Sequence, residues 1–323
     1  QMGNMGNQGN MGNQMGVNPG QGQQPQFMNQ GQPSDPYMNQ QDPYMHQNQH
    51  QTDPGRPQHV NMPAPTAPQP PEPEPEPEEP EDVDEVDSDG NTKLMAAAES
   101  GDKEEVERLI SKDARLDTKR EADGMTALHK AAVNGYKEIV ESLADASADL
   151  NVQATNMRTA MMLAGDKGHD AVVKSLLTKK ADPNVTRQKG WTALMQWSLE
   201  GKKKLVYMLL ENGADFKMTH AENKMTALAM ACTDNKVEPV VLLLDKKANP
   251  NTPDASGNTA LHTAAKENNG QLIQILLSKG ADLTAKNSAN QTPLELAKAG
   301  KLMQAKEVLA KYDKSGGGCC SVQ

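Results

Sequence analysis

A threonine returns every 33 or 34 residues along most of this chain, at Thr92, Thr126, Thr159, Thr192, Thr226, Thr259 and Thr292. Two residues after it comes Leu94, Leu128, Met161, Leu194, Leu228, Leu261 or Leu294, and seventeen after it a leucine every time, from Leu109 to Leu309. A period of that length with fixed apolar positions requires one supersecondary unit stacked many times. It also argues against catalysis, since the recurrent residues serve packing between neighbours.

One unit shows the local logic. Thr126 precedes Ala127-Leu-His-Lys-Ala-Ala-Val-Asn-Gly135, and its hydroxyl is suited to cap a short helix by accepting from an orphan N–H. Leu128, Ala131 and Ala132 then share one helical face, and Gly135 is a C-terminal stop. Ile139, Val140 and Leu143 predict a second helix packed on the first. Gly-Ala-Asp, as at Gly213-Ala214-Asp215 and Gly280-Ala281-Asp282, turns the chain out of the pair. The alanine five residues after the threonine lets neighbouring helices approach closely.

This pattern resembles the ankyrin repeat, down to Thr259-Ala-Leu-His262 and Thr292-Pro-Leu294. The resemblance covers residues 89–312 as seven repeats and implies an all-α fold, a solenoid of helix–turn–helix units with β-turn fingers. No repeat buries its apolar face alone, so the stack is the domain. Terminal repeats need polar outer faces, and Glu105, Lys298 and Lys306 stand where other repeats carry apolar or small residues.

Outside the repeats the composition changes. Residues 1–70, rich in Gln, Asn, Gly, Met and Pro, lack the apolar content for a core and are expected to be a disordered arm. Within it Asp35-Pro-Tyr-Met38 is echoed at Asp42-Pro-Tyr-Met45. Residues 71–88 form an acidic Pro/Glu linker, expected to be extended. Residues 1–90 hold 14 acids against Arg56 alone, a net of −13, so the remainder of this −10 chain is +3. The acidic run is read chiefly as a solvated spacer, with contact to a basic part of the solenoid as the sharper alternative. Three cysteines without a secretory signal point to a reducing, cytoplasmic setting.

Residues 313–323 form a flexible tail that ends in Gly-Gly-Gly-Cys-Cys-Ser-Val-Gln323. Cys320-Ser-Val-Gln323 looks like a prenylation box, with glutamine last favouring farnesyl. Cys319 is positioned for a palmitoyl group as the second signal that stable anchoring needs. An unmodified tail is the plain alternative.

Other chemistry reads as absent. His129, His262 and His169 fall at positions where the resemblance implies hydrogen bonds to neighbouring loops, and no metal-ligand spacing occurs. Cys232 shares a small-residue position with Ala132 and Ala265 and reads as an inert buried thiol. No catalytic, cofactor-binding or nucleic-acid-binding arrangement is found.

The family resemblance implies protein binding through the finger tips and the exposed ends of the first helices. The finger positions are Met125, Arg158, Trp191, Met225, Asn258 and Gln291. The helix-end positions are Val133, Asn134, Asp166, Lys167, Leu199, Glu200, Thr233, Asp234, Lys266 and Glu267. Trp191, Leu199 and Met225 make the middle of that row apolar, a composition suited to hot spots. Repeat four departs from the pattern: Trp197 stands where every other repeat has alanine. An indole there either displaces the neighbouring helix, at about 1–3 kcal/mol if unrelieved, or swings into the groove beside Trp191; the second arrangement is the expectation. Pro239 falls in a first helical turn, where its missing N–H does no harm.

The combined reading is a monomeric, non-enzymatic adaptor without cofactor. Its groove takes a protein segment, and its lipidated C-terminus tethers it to the cytoplasmic face of a membrane. The alternative is a soluble regulatory subunit or inhibitor of an enzyme or transcription factor. A third is a scaffold that assembles through the N-terminal arm.

Overall fold

The computed structural model describes residues 82–314. The N-terminal arm, most of the Pro/Glu linker and the cysteine-bearing tail lie outside the described residues.

Fourteen helices follow one another in seven pairs among these residues: α1 (Lys93–Ser100) and α2 (Lys103–Ser111), α3 (Ala127–Asn134) and α4 (Lys137–Asp145), α5 (Ala160–Lys167) and α6 (Asp170–Thr178), α7 (Ala193–Glu200) and α8 (Lys203–Glu211), α9 (Ala227–Thr233) and α10 (Val237–Asp245), α11 (Ala260–Lys266) and α12 (Gly270–Ser278), α13 (Pro293–Ala299) and α14 (Met303–Lys314). First helices pack mainly on first helices and second on second, giving two layers. The family geometry expected from the repeats is therefore the observed one, and no strand is present among the described residues. The fingers are turns carrying two isolated bridges, Val86–Thr92 and Thr219–Thr226.

Each first helix starts where its threonine stands. Thr92, Thr159, Thr192, Thr226 and Thr292 accept a hydrogen bond from the N–H three residues on. At Thr126 and Thr259 the ring of His129 or His262 joins a reciprocal capping box. A threonine cap removes an orphan donor and is worth about 1 kcal/mol. The first four first helices end on left-handed glycines, for example Gly135 at φ 80°. At the corresponding places Asn235, Asn268 and Lys301 adopt the same left-handed turn, at φ 56°, 54° and 56°.

The recurrent leucines, Leu109 to Leu309, are wholly buried between the layers. Replacing one by alanine costs about 2–5 kcal/mol. Pro239 lies in the first turn of α10, and Glu105, the polar substitute in repeat one, pairs with Arg108 at 2.6 Å. Residues 82–92 complete the first repeat: Val83 packs on the core, Asp84 accepts from the Arg115 N–H at 2.8 Å, and Lys93 Nζ donates to the Asp82 carbonyl at 3.0 Å.

Trp197 behaves differently from the sequence expectation. Its side chain is 1% exposed and does not enter the groove. It lies between α7 and α5, against Gly165, and α5 and α7 barely meet backbone to backbone, whereas every other consecutive pair of first helices packs closely. The indole therefore displaces the neighbouring helix. Glycine, where the other repeats have alanine, serine or cysteine and the terminal one Lys298, relieves the clash, and Lys202 Nζ donates to the Gly165 carbonyl at 3.0 Å.

Candidate functional site

The fingers are tied to one another by backbone hydrogen bonds, Thr155 N–H to the Asp123 carbonyl at 2.9 Å, Ala221 to Lys189 at 2.7 Å, Ala255 to Asn223 at 2.8 Å and Ser288 to Ser256 at 2.9 Å. The buried histidines add a second tie. In repeats two and six the ring Nδ1 accepts the N–H of Thr126 or Thr259, both at 3.2 Å. The proton then sits on Nε2, which donates to the next finger, at Arg158 O (3.2 Å) and Gln291 O (3.0 Å). His169, half-buried, instead reaches back to the Val133 carbonyl at the end of α3, at 2.9 Å. Burial pulls His129 and His262 below the usual imidazole value, against the raising effect of those carbonyls. These histidines hold the fingers that frame the groove.

Between repeats five and seven the groove forms a cleft of about 130 Å³. It brings together Met225, Thr233, Asn258, Lys266 and Glu267 from the expected row, and adds Asp254, His262, Thr263 and Leu296. Thr233 is turned back onto its own helix, its hydroxyl donating to Met230 O at 2.7 Å, and Asn258 is held by Asp254 at 3.3 Å. Asp234 is exposed and pairs with Lys236 at 3.0 Å.

The middle of the row is a polar network. Arg158 from finger three pairs with Asp166 at 2.6 Å. Gln196 on α7 bridges Asp166 at 3.0 Å and Glu200 at 2.7 Å, and its side-chain oxygen accepts from Arg187. Lys202 completes the group on Glu200 at 2.8 Å. Burial pushes the Glu200 carboxyl up, but the bonds from Lys202 and Gln196 prevail and hold it below its ordinary value. Arg187 is pulled down by burial and by the like charge of Arg158. Lys167 beside it is exposed.

Trp191, Leu199 and Met225 are half-buried and packed against the core; Trp191 also meets the His220 ring edge-on at 5.4 Å. Met125 and Val133 are half-buried at the N-terminal end of the row, where Asn134 donates to the carbonyls of Glu99 (3.2 Å) and Lys130 (3.1 Å). Beside them the buried Lys130 ammonium pairs with Glu99 at 3.1 Å.

Sequence reasoning missed Lys130, Gln196, Thr263 and Leu296, which all occupy the fourth residue after the threonine. The signal was available: that position varies (Ala96, Lys130, Leu163, Gln196, Met230, Thr263, Leu296) just before an alanine that only Trp197 interrupts. Arg187 was missed for a related reason. It stands where repeats one, six and seven carry an acid or amide (Asp87, Asp254, Asn287) that accepts the finger's own N–H groups.

Among the described residues no cluster of His, Cys, Asp or Glu could hold a metal, and no helix is long and apolar enough to cross a membrane. Cys232 is fully buried, and burial alone pushes its thiol up to about 12.

Comparison with known proteins agrees with this architecture. The family model for ankyrin repeats matches three times, over residues 78–154, 147–220 and 194–287. The ankyrin repeat domain of Bcl-3, described as a unique member of the IkappaB family, superposes with a TM-score of 0.63 at 29% identity, over 69% of this chain and 99% of that one. The human ASB11 ankyrin repeat domain superposes at 0.56, over 68% and 97%; at 24% identity it speaks for the fold alone. No curated protein sequence matches the chain. With the family model covering well over half of its length and the repeats observed helix by helix, the chain belongs to the ankyrin-repeat family.

Proposed function

We propose that this protein is an adaptor whose groove captures a segment of a partner protein, held at the cytoplasmic face of a membrane by a prenyl group on Cys320 with Cys319 as an acylation site. The observation that carries the binding reading is the row of finger and first-helix residues. It forms a cleft at repeats five to seven and a half-buried ionic network at repeats three and four. Rigid fingers present both, which limits the ordering cost of binding. The tether is supported by the Cys-Ser-Val-Gln sequence and its glycine spacer. Confinement to a thin layer raises the partner's effective concentration toward other membrane proteins.

A soluble regulator is the second reading, favoured by the match to the whole ankyrin domain of an IkappaB-family member. The intact mass of the C-terminal peptide, from protein made in its native host, separates them. A farnesyl adduct on Cys320 supports the tether. A bare Cys-Ser-Val-Gln end removes it and leaves the soluble regulator.

A further inference from the structure

The two ends of the described solenoid carry opposite charge. Residues 82–115 hold eleven acids against five bases, whereas residues 283–314 hold six lysines against three acids. The basic end is also the end from which the cysteine-bearing tail departs.

Among the described residues no repeat follows α14, so the face that other second helices bury lies open there. Met303, Lys306, Glu307, Ala310, Lys311 and Lys314 form one continuous patch there. Met303 is 69% exposed, the highest value among the exposed large apolar side chains of the described residues. Lys306 stands where the six earlier repeats bury Val106, Val140, Val173, Val206, Val240 and Ile273. Lys311 is paired with Glu307 at 2.9 Å, while Lys306 and Lys314 make no ion pair among the described residues. Lys298 and Lys301 are exposed in the same terminal repeat.

Capping a solenoid asks only for polarity. It does not set the sign of the charge, and the opposite cap uses Glu105 for the same purpose. Nor does capping call for an exposed methionine at the start of that face. An exposed methionine and a row of lysines on one face match an anionic lipid surface, where ammonium groups sit among headgroups and an apolar side chain enters the interface.

We infer that the outer face of α14 rests on an anionic bilayer surface, so that the solenoid stands on its C-terminal end with the acidic end directed away. This rests on the lipid-tether reading. From Lys314 to Cys320 there are six residues, a reach of roughly 20 Å at full extension. A lipid on Cys320 therefore keeps this face close to the membrane. Screening over a Debye length of about 8 Å leaves the contact to the lysines of that end, and the acidic end lies beyond repulsion.

The test supplies the anchor chemically, so it does not depend on lipidation in the host. Full-length Cys319→Ser protein is made in bacteria and coupled through Cys320 to a maleimide lipid, in vesicles of phosphatidylcholine alone or with phosphatidylserine added. Lysines are then footprinted with an amine-acylating reagent. Labelling of Lys306 and Lys314 falls about five-fold on the anionic vesicles, returns in high salt, and is unchanged at Lys103 of the opposite end. The Lys306→Glu, Lys314→Glu double variant loses the corresponding protection of Lys298 and Lys301. Equal labelling on both vesicle types overturns the proposal. So does protection that ignores phosphatidylserine but rises with protein density, which identifies a second copy as the occupant. An unlipidated tail on the host protein, with footprints as expected, overturns the tether and leaves the lipid-binding face standing.

Discussion

A Cβ built on Gly165 would stand 2.1 Å from Cζ2 of Trp197, so the indole occupies the space that the missing side chain leaves. The two residues lie in neighbouring repeats, and each breaks the repeat pattern at its own position. Gly165→Ala is expected to destabilise by about 1–3 kcal/mol through overpacking, and Trp197→Ala by about 3–5 kcal/mol through the cavity it leaves. The double variant should cost less than the sum, because an alanine at 165 partly fills that cavity. Urea unfolding of the four proteins measures this directly. A Gly165→Ala midpoint equal to that of the parent would mean that the indole is not seated against α5.

The capping histidines give the fold a pH dependence with a defined sign. His129 and His262 are held neutral by burial, so their folded values lie below the ordinary 6.5. The unfolded chain then binds more protons between the folded and unfolded values. The stabilisation is full above about pH 6.5 and is lost as pH falls toward the depressed folded values. Thermal midpoints should therefore drop between pH 7.5 and 5.5, before the carboxylates titrate. His129→Gln with His262→Gln should flatten that part of the profile; an unchanged slope would assign it to other groups.

Cys232 should be chemically silent in the native protein. Its thiol is enclosed and pushed up to about 12, which leaves almost no thiolate at neutral pH. Iodoacetamide at pH 8, followed by digestion, should leave the Cys232 peptide unmodified until denaturant is added. Modification at the rate of an exposed thiol would mean that repeat five opens readily.

The groove calls for two kinds of variant, because its apolar and charged members are held differently. Trp191 and Met225 pack against the core, so Trp191→Ala with Met225→Ala should weaken partner capture and lower stability by about 1–3 kcal/mol. Lys266 lines the cleft and is exposed. Lys266→Glu should weaken capture with a change in unfolding free energy within about 0.5 kcal/mol. Crosslinking of the native-host protein to its partner, followed by quantitative mass spectrometry of the variants, reads both. Full capture by the Lys266→Glu variant would remove this cleft from the binding surface.

Much of the fold is written locally. The threonine caps, the apolar sets of paired helices and the left-handed stops each depend on a few residues close in the chain, and their sevenfold recurrence made the stack legible. The histidine ties were legible through the family pattern. The Thr–His box is local, although its carbonyl partner is 29 residues away.

Tertiary structure alone decided where the exceptions go. Trp197 could be placed only with Gly165 in view, 32 residues earlier and on another helix. Gln196 and Arg187 became groove residues only when two fingers and two helices converged on Asp166. Periodicity states which positions face a neighbour, because helix geometry repeats. It does not state what a side chain meets there, because that depends on the volume and charge which the next repeat brings to the same point.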